Sequence, residues 1–200
     1  MPEMRDFVIS RVRNKLLCLL FDNPQQMLYV RELTRARGEE INAVRRELEH
    51  LDKTGVILKE KRGNRVYYQA NPVYDYFEDL LSMVAKSVGI GQAIRDNRKE
   101  LGKVKFAMLS GKYARNKPRE KGEIDLLVVG TIVLDKLNQL IKKEELRRET
   151  EINYTVMTQE EFMFRKNRRD PFLLNILSRS RIMIIGDEEG LVDKSSPEIE

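Results

Sequence analysis

The stretch from Leu28 to Ala70 constrains this chain more than any other. It reads Leu28-Tyr29-Val30, a helical pattern from Arg31 to Arg37, Gly38, a second helical pattern from about Glu39 to Thr54, and Gly55. Two alternating runs follow, Val56 to Lys61 and Arg65 to Gln69, joined by Arg62-Gly63-Asn64. Two short helices with a glycine turn between them are the outline of a helix-turn-helix. The hairpin directly after them carries basic residues at its tip, where a Gly-Asn pair permits the positive φ angles of a tight turn.

The second helix separates into two faces. Ile41, Val44, Leu48 and Leu51 recur at intervals of three and four and form one buried stripe. The opposite face carries Asn42, Ala43, Arg46, Glu49, His50 and Lys53, with Arg45 on the flank. A recognition helix enters the major groove with its N-terminal half, which puts Asn42, Ala43 and Arg46 nearest base edges. Arginine grips guanine at two points and asparagine grips adenine likewise. Lys61, Arg62, Asn64 and Arg65 at the hairpin tip suit phosphate or minor-groove contact. A merely solvated helix face would look similar, and the basic hairpin at the expected place is what favours double-stranded DNA as a partner. No cofactor is required for that binding.

The run Tyr29-Val30-Arg31-Glu32-Leu33, then Ile41-Asn42-Ala43-Val44-Arg45-Arg46-Glu47-Leu48, then Arg62-Gly63-Asn64-Arg65-Val66-Tyr67-Tyr68 resembles winged-helix regulators of the ArsR/MarR type. More closely, it resembles a prokaryotic group in which such a domain is fused to a small nucleotidyltransferase-like domain. The resemblance implies transcription regulation, and such regulators usually read two half-sites as twofold dimers.

Two hundred residues suit one large domain or two small ones. The formal net charge of +5 fits a polyanionic partner, although a charged fraction of 34% is mostly solvated surface. Cys18 is the only cysteine. With neither a disulfide framework nor a thiol cluster, a reducing cytoplasm is the expected location. Met1-Pro2-Glu3-Met4-Arg5 lacks the plan of a signal peptide, and no apolar run approaches the roughly 20 residues of a membrane span.

In chain order, Phe7 to Phe21 reads as a first helix with Val8, Ile9, Val12, Leu16, Leu19 and Leu20 on one arc, ended by Asp22-Asn23-Pro24. After Asn71-Pro72, Val73, Phe77, Leu80, Leu81, Val84 and Val88 recur at helical spacing. This helix either bridges to the second domain or pairs with its symmetry mate, and it is the first candidate for a dimer interface. Gly89-Ile90-Gly91 interrupts the pattern before a helix from about Gln92 to Leu101. From Val104 the period changes to strands at Val104–Leu109, Ile124–Val129, Ile152–Met157 and Arg181–Ile185. Between them lie helices at Thr131–Thr150, with Val133, Leu134, Leu137, Leu140, Ile141 and Leu146 inward, at Gln159–Lys166 capped by Thr158, and from Pro171 to Leu177. The expected organisation combines α+β and α/β character: a winged helix-turn-helix domain over 1–72, a helical linker over 73–101, an α/β domain with a mixed sheet over 102–186, and a frayed polar tail over 187–200.

Gly111, then Glu123-Ile124-Asp125-Leu126-Leu127-Val128, resembles the signature of the polymerase-β-type nucleotidyltransferases in their minimal form. The resemblance implies nucleotide phosphates cradled at Gly111 and Lys112, and Mg²⁺ held by Glu123 and Asp125. Residues i and i+2 on a strand project from one face, which agrees with that role. Two residues depart from the family pattern. Lys112 replaces the serine of the Gly-Ser pair, within a loop that also carries Arg115, Lys117, Arg119 and Lys121. Asn153 stands at the inward position of the third carboxylate, and an amide cannot accept a proton near pH 7. Glu151 shares its parity but stands at the strand entrance. The expectation is therefore a DNA-binding regulator whose second domain senses a nucleotide and has no catalytic residue. The alternatives are an active nucleotidyltransferase targeted by the winged helix, and a scaffold with an empty site.

Overall fold

The computed structural model describes residues Ser10 to Val192, apart from the side chains at positions 36 and 37. The chain divides into two compact units, Met1–Val88 with Ala114–Lys117, and Gly89–Tyr113 with Pro118–Glu200. The expected linker over 73–101 is thus split, its first helix belonging to the first unit and its second to the other.

In the first unit, α1 (Arg11–Asp22) starts at Ser10, whose hydroxyl accepts from the Arg13 N–H at 3.2 Å. Phe7, Val8 and Ile9 of the expected helix lie outside the described residues. Leu16, Leu17, Cys18, Leu20 and Phe21 are buried, and Val12 and Leu19 are half-buried. After β1 (Leu28–Tyr29) comes α2 (Val30–Arg37), closed by Gly38 at φ 59°, whose N–H donates to the Thr34 carbonyl at 3.0 Å. The next helix, α3, spans Ile41–Lys53 and not Glu39–Thr54, because the Glu40 carboxylate caps it by accepting from the Asn42 and Ala43 N–H groups, both at 2.9 Å. Val44, Leu48 and Leu51 are buried as the spacing requires, whereas Ile41 is half-buried.

Strands β2 (Ile57–Arg62) and β3 (Arg65–Ala70) pair antiparallel from Ile57 opposite Ala70 to Arg62 opposite Arg65, with Gly63 at φ 55° in the two-residue loop. β1 takes the other edge of β3. The expected helix from Val73 begins at Phe77 instead (α4, Phe77–Ser87). Asn71 explains the delay: its side chain accepts from the Val73 N–H at 3.2 Å and donates to the Gly55 carbonyl at 2.7 Å, so the backbone turns there. Phe77, Leu81 and Val84 are buried, and the Phe77 ring lies 5.4 Å from Phe21. Leu80 and Val88 of the expected stripe are half-buried, and burying a side chain such as Phe77 or Leu81 contributes about 1.5–3 kcal/mol. Val73 is 82% exposed and precedes the helix.

In the second unit, the glycines expected to interrupt a helix begin one, α5 (Gly89–Asp96). Gly89 holds φ 61°, and a Cβ there would meet the Glu144 Oε1 at 2.6 Å. The remaining elements are β4 (Gly102–Ser110), α6 (Gly111–Ala114), β5 (Leu126–Ile132), α7 (Leu134–Arg148), β6 (Tyr154–Met157), α8 (Gln159–Asn167), α9 (Pro171–Leu177), β7 (Arg181–Ile185) and α10 (Glu188–Val192). The sheet order is β6-β5-β4-β7. β5 and β6 run parallel and the other pairs antiparallel, giving the mixed sheet expected.

β4 from Phe106 to Leu109 and β5 from Leu126 to Gly130 are buried on both faces. On one face Phe106, Met108, Leu127 and Val129 pack with Phe162, Leu173, Ile176 and Leu191. The opposite parity, Ala107, Leu109, Leu126 and Val128, is buried too, as are Ile90 and Ile94 of α5 and Leu137 and Ile141 of α7. Three expected inward residues near or on α7 are exposed: Val133 at 50%, Leu134 at 53% and Leu146 at 82%. Leu137, Ile141 and Glu144 form the buried stripe, and Leu146 lies about 200° around the helix from Glu144. The expected frayed tail is also corrected, since Leu191 of α10 is fully buried; residues 193–200 lie outside the description. Among the described residues no helix is long and apolar enough to cross a membrane.

Candidate functional site

Glu123 and Asp125 lie just before β5, and Asp125 is held by backbone bonds to both neighbouring strands. The Asp125 N–H donates to the Asn153 carbonyl at 2.6 Å, and the Asp125 carbonyl accepts from the Ser110 N–H at 2.8 Å. The segment is thus threaded between the end of β4 and the entrance of β6. Glu123 is 8% exposed and Asp125 4%.

Each carboxylate is clamped by cations. Lys112 on α6 donates to both Glu123 oxygens at 2.9 and 3.0 Å, and to Glu120 at 2.8 Å. The Glu120 N–H donates to Glu123 Oε2 at 2.6 Å. Arg179 pairs with Glu123 Oε1 and donates from Nε to Asn175 Oδ1 at 2.6 Å. Asp125 Oδ2 accepts from the Asn153 N–H at 2.8 Å and pairs with Arg119, which also donates to the Glu151 carbonyl at 2.8 Å. Burial pushes the Glu123 carboxyl up, but the Glu120 N–H and the Lys112 and Arg179 cations more than offset it and hold it below its ordinary range. Its partner Lys112 is pushed up, first by its bond to Glu120 and then by that to Glu123.

The expected phosphate cradle differs from the family pattern in use as well as in residue type. The Gly111 N–H donates to the Ser180 carbonyl at 2.7 Å, so that amide serves the fold. Behind α6, the Tyr113 hydroxyl reaches Glu144 at 3.3 Å under the Arg148 guanidinium, 4.4 Å from the ring centroid. Burial raises this phenol far above its ordinary range. The cluster anchors the short helix that carries Lys112. Asn153, at the third-carboxylate position, donates its side-chain amide to the Glu123 carbonyl at 2.6 Å, while Glu151 contributes only its backbone carbonyl to the contacts described.

Among the described residues no group of three or more His, Cys, Asp or Glu side chains could hold a metal. Two hard carboxylates still suit one Mg²⁺ that brings phosphate oxygens and water with it. They do not suit a pair of metals. Sequence reasoning missed Arg179, Glu120, Asn175 and Ser110. The only signal for Arg179 was its position in Ser178-Arg179-Ser180-Arg181 before a strand, which becomes informative once β7 is known to lie beside β4.

In the first unit, Asn42, Arg45, Arg46, Glu49, Lys53, Lys61, Arg62, Asn64 and Arg65 are exposed and Ala43 is half-buried. Several of them line two separate hollows beside α3. Arg45, Glu49, Asn64 and Arg65 line a groove of about 560 Å³ between α3 and the hairpin, together with Arg31 and Lys59. Ala43 and Arg46 lie on the other flank with Arg13, Glu47 and His50. Arg65 sits 5.1 Å over the Tyr29 ring. Arg62 sits 5.6 Å over Tyr67 and is bonded to Glu60 at 2.7 and 3.2 Å, so its charge is partly neutralised.

No family model matches the chain, and no solved structure matches it. A protein of Methanocaldococcus jannaschii named "Putative protein adenylyltransferase" is 33% identical over 82 residues, a span covering 41% of this chain and 80% of the relative.

Proposed function

The chain belongs to the family of that nucleotidyltransferase-like protein, and on this premise we propose that it transfers a nucleotidyl group from a nucleoside triphosphate to a protein acceptor, with its first unit as a DNA-docking module. The observation that carries the reading is a pair of buried carboxylates just before β5, Glu123 held by Lys112 and Arg179 and Asp125 by Arg119, with Asn153 bonded to both residues. We assign the family relationship to this unit, and take ATP as the donor from the relative's name.

Glu123 and Asp125 would hold Mg²⁺, which supplies charge neutralisation at the phosphates. Lys112, Arg119 and Arg179 orient the triphosphate and stabilise charge developing on the leaving group. An acceptor hydroxyl oxygen bonds to the α-phosphorus, the bond from that phosphorus to the α,β-bridging oxygen breaks, pyrophosphate leaves, and the hydroxyl proton passes to water. No carboxylate at position 153 takes that proton, which costs about 10²- to 10⁴-fold. Slow transfer is the consequence.

The relative's name favours this enzyme reading over that of a DNA-binding regulator. The exposed cations of α3 and the hairpin support docking on duplex DNA, in a winged-helix manner, as the means of targeting. A second reading, a nucleotide sensor without turnover, is favoured by Asn153, whose amide is committed to the Glu123 carbonyl. Incubation with Mg²⁺, α-labelled ATP and cell lysate separates the two. Label on a protein acceptor supports transfer, and saturable binding without label supports the sensor.

A further inference from the structure

We propose that Lys112, Arg119 and Arg179 are triphosphate ligands held in reserve on the acidic pair, so that the site admits metal and triphosphate only together. This rests on the nucleotide-handling reading above and adds a rule of entry to it.

The cluster is balanced as it stands. Lys112, Arg119 and Arg179 face Glu120, Glu123 and Asp125, three cations against three carboxylates. A free triphosphate must pull these cations from Glu123 and Asp125, which would then be left buried without a countercharge. A divalent cation alone must displace the cations already paired with these carboxylates, and then shares the cluster with three positive side chains that no anion offsets. Taking the cations from Glu123 and Asp125 is costly because these two carboxylates are buried and would be left without compensation. When both ligands enter together every group keeps a partner: the metal takes the carboxylates and the phosphates take the cations.

The guanidinium groups are built for such an exchange. Each has one neutral anchor besides its carboxylate. Arg179 donates from Nε to Asn175 Oδ1 at 2.6 Å, and Arg119 donates to the Glu151 carbonyl at 2.8 Å. Neither anchor carries charge, so neither competes with phosphate for the cation. Releasing the carboxylate leaves each guanidinium at the mouth of the site with its remaining N–H groups available, a fork geometry suited to phosphate oxygens. The side chains of Arg119 and Arg179 are 32% and 41% exposed, against 6% for each carboxylate, so the cations lie on the solvent side from which a ligand arrives.

The test measures binding, with Mn²⁺ followed by loss of its free-ion EPR signal and α,β-methylene-ATP as the non-transferable triphosphate. In the parent, Mn²⁺ alone and the analogue alone in EDTA should each bind at least about tenfold more weakly than the Mn²⁺–analogue complex, the scale of one charge-assisted contact. Arg179→Gln should change the two affinities in opposite directions: Mn²⁺ alone binds more tightly, because a competitor for Glu123 is gone, and the complex binds about tenfold more weakly. Arg119→Gln should repeat the pattern through Asp125, and guards against one variant folding poorly. The inference is overturned if the parent binds the complex but both variants weaken Mn²⁺ alone, or leave both affinities unchanged. It is equally overturned if the parent binds the analogue as tightly in EDTA as with Mn²⁺. A parent that binds no Mn²⁺–analogue complex overturns the nucleotide-handling reading itself.

Discussion

The side-chain amide of Asn153 donates to the backbone carbonyl of Glu123 at 2.6 Å, tying the entrance of β6 to the segment that carries the acidic pair. A residue expected at the place of a third carboxylate thus braces the segment that carries Glu123 and Asp125. Asn153→Asp removes the donor and points a carboxylate at a carbonyl. It should lower the melting temperature without metal, by an amount equivalent to about 1–3 kcal/mol for an unsatisfied group. Mg²⁺ with ATP should recover most of that loss, because the new carboxylate then has a cation to meet. Thermal melts of parent and variant with and without Mg²⁺–ATP check this, and an equal loss in both conditions would contradict it.

Stability of the first unit should fall in acid through Glu47. Burial pushes this carboxyl up, but the Ser10 hydroxyl and the Arg13 guanidinium, bonded at 2.5 and 2.8 Å, hold it below its ordinary value of 4.5. A folded-state value below the unfolded one adds stability that is fully present above pH 4.5 and lost as pH falls through the lowered value. Glu47→Gln should flatten the acid limb of the unfolding profile. An unchanged limb would remove Glu47 as its cause.

Much of the fold is readable from the residues, and the exceptions share a cause. Period alone gives Pro171–Leu177 and Arg181–Ile185 as they stand, and Thr158 caps α8 with its hydroxyl accepting from the Glu161 N–H at 3.1 Å. What fails is what depends on a distant partner. The bonds of Asn71 to Gly55 delay α4, Glu144 fills the space where a Gly89 side chain would stand, and Leu191 finds the core from a polar tail. The site follows the same rule. Glu123, Asp125 and Lys112 sit in a recognisable motif, whereas Arg179 joins them only because β7 pairs with β4.

Leu81 tests whether the α4 stripe belongs to the unit's interior. It is 1% exposed, so Leu81→Ala should cost about 2–5 kcal/mol. Sedimentation should show the variant's oligomeric state unchanged wherever it remains folded. Dissociation of a folded dimer without loss of melting temperature would instead place the stripe at an interface.

On duplex DNA, Arg45 and Arg62 should behave differently. Arg45→Ala should weaken all sequences and lower the salt slope by about one unit. Arg62→Ala should do less, since Glu60 already partly neutralises its guanidinium. Glu60→Gln should therefore tighten binding and steepen the slope. Fluorescence anisotropy at several salt concentrations measures all three, and a Glu60→Gln variant that binds more weakly would contradict the pairing as the cause. Arg46→Ala, on the other flank of α3, should instead relax preference at one or two base pairs by roughly 1–3 kcal/mol.

The most direct test is pyrophosphate release from ATP in Mg²⁺ by the full chain with lysate proteins as acceptors, compared with Asp125→Ala. Release should be slow in the parent, matched by adenylyl label on protein, and reduced at least about a hundredfold in the variant as metal-bound charge stabilisation is lost. Equal release by parent and Asp125→Ala, or binding of ATP with no release at all, would contradict transfer at the acidic pair.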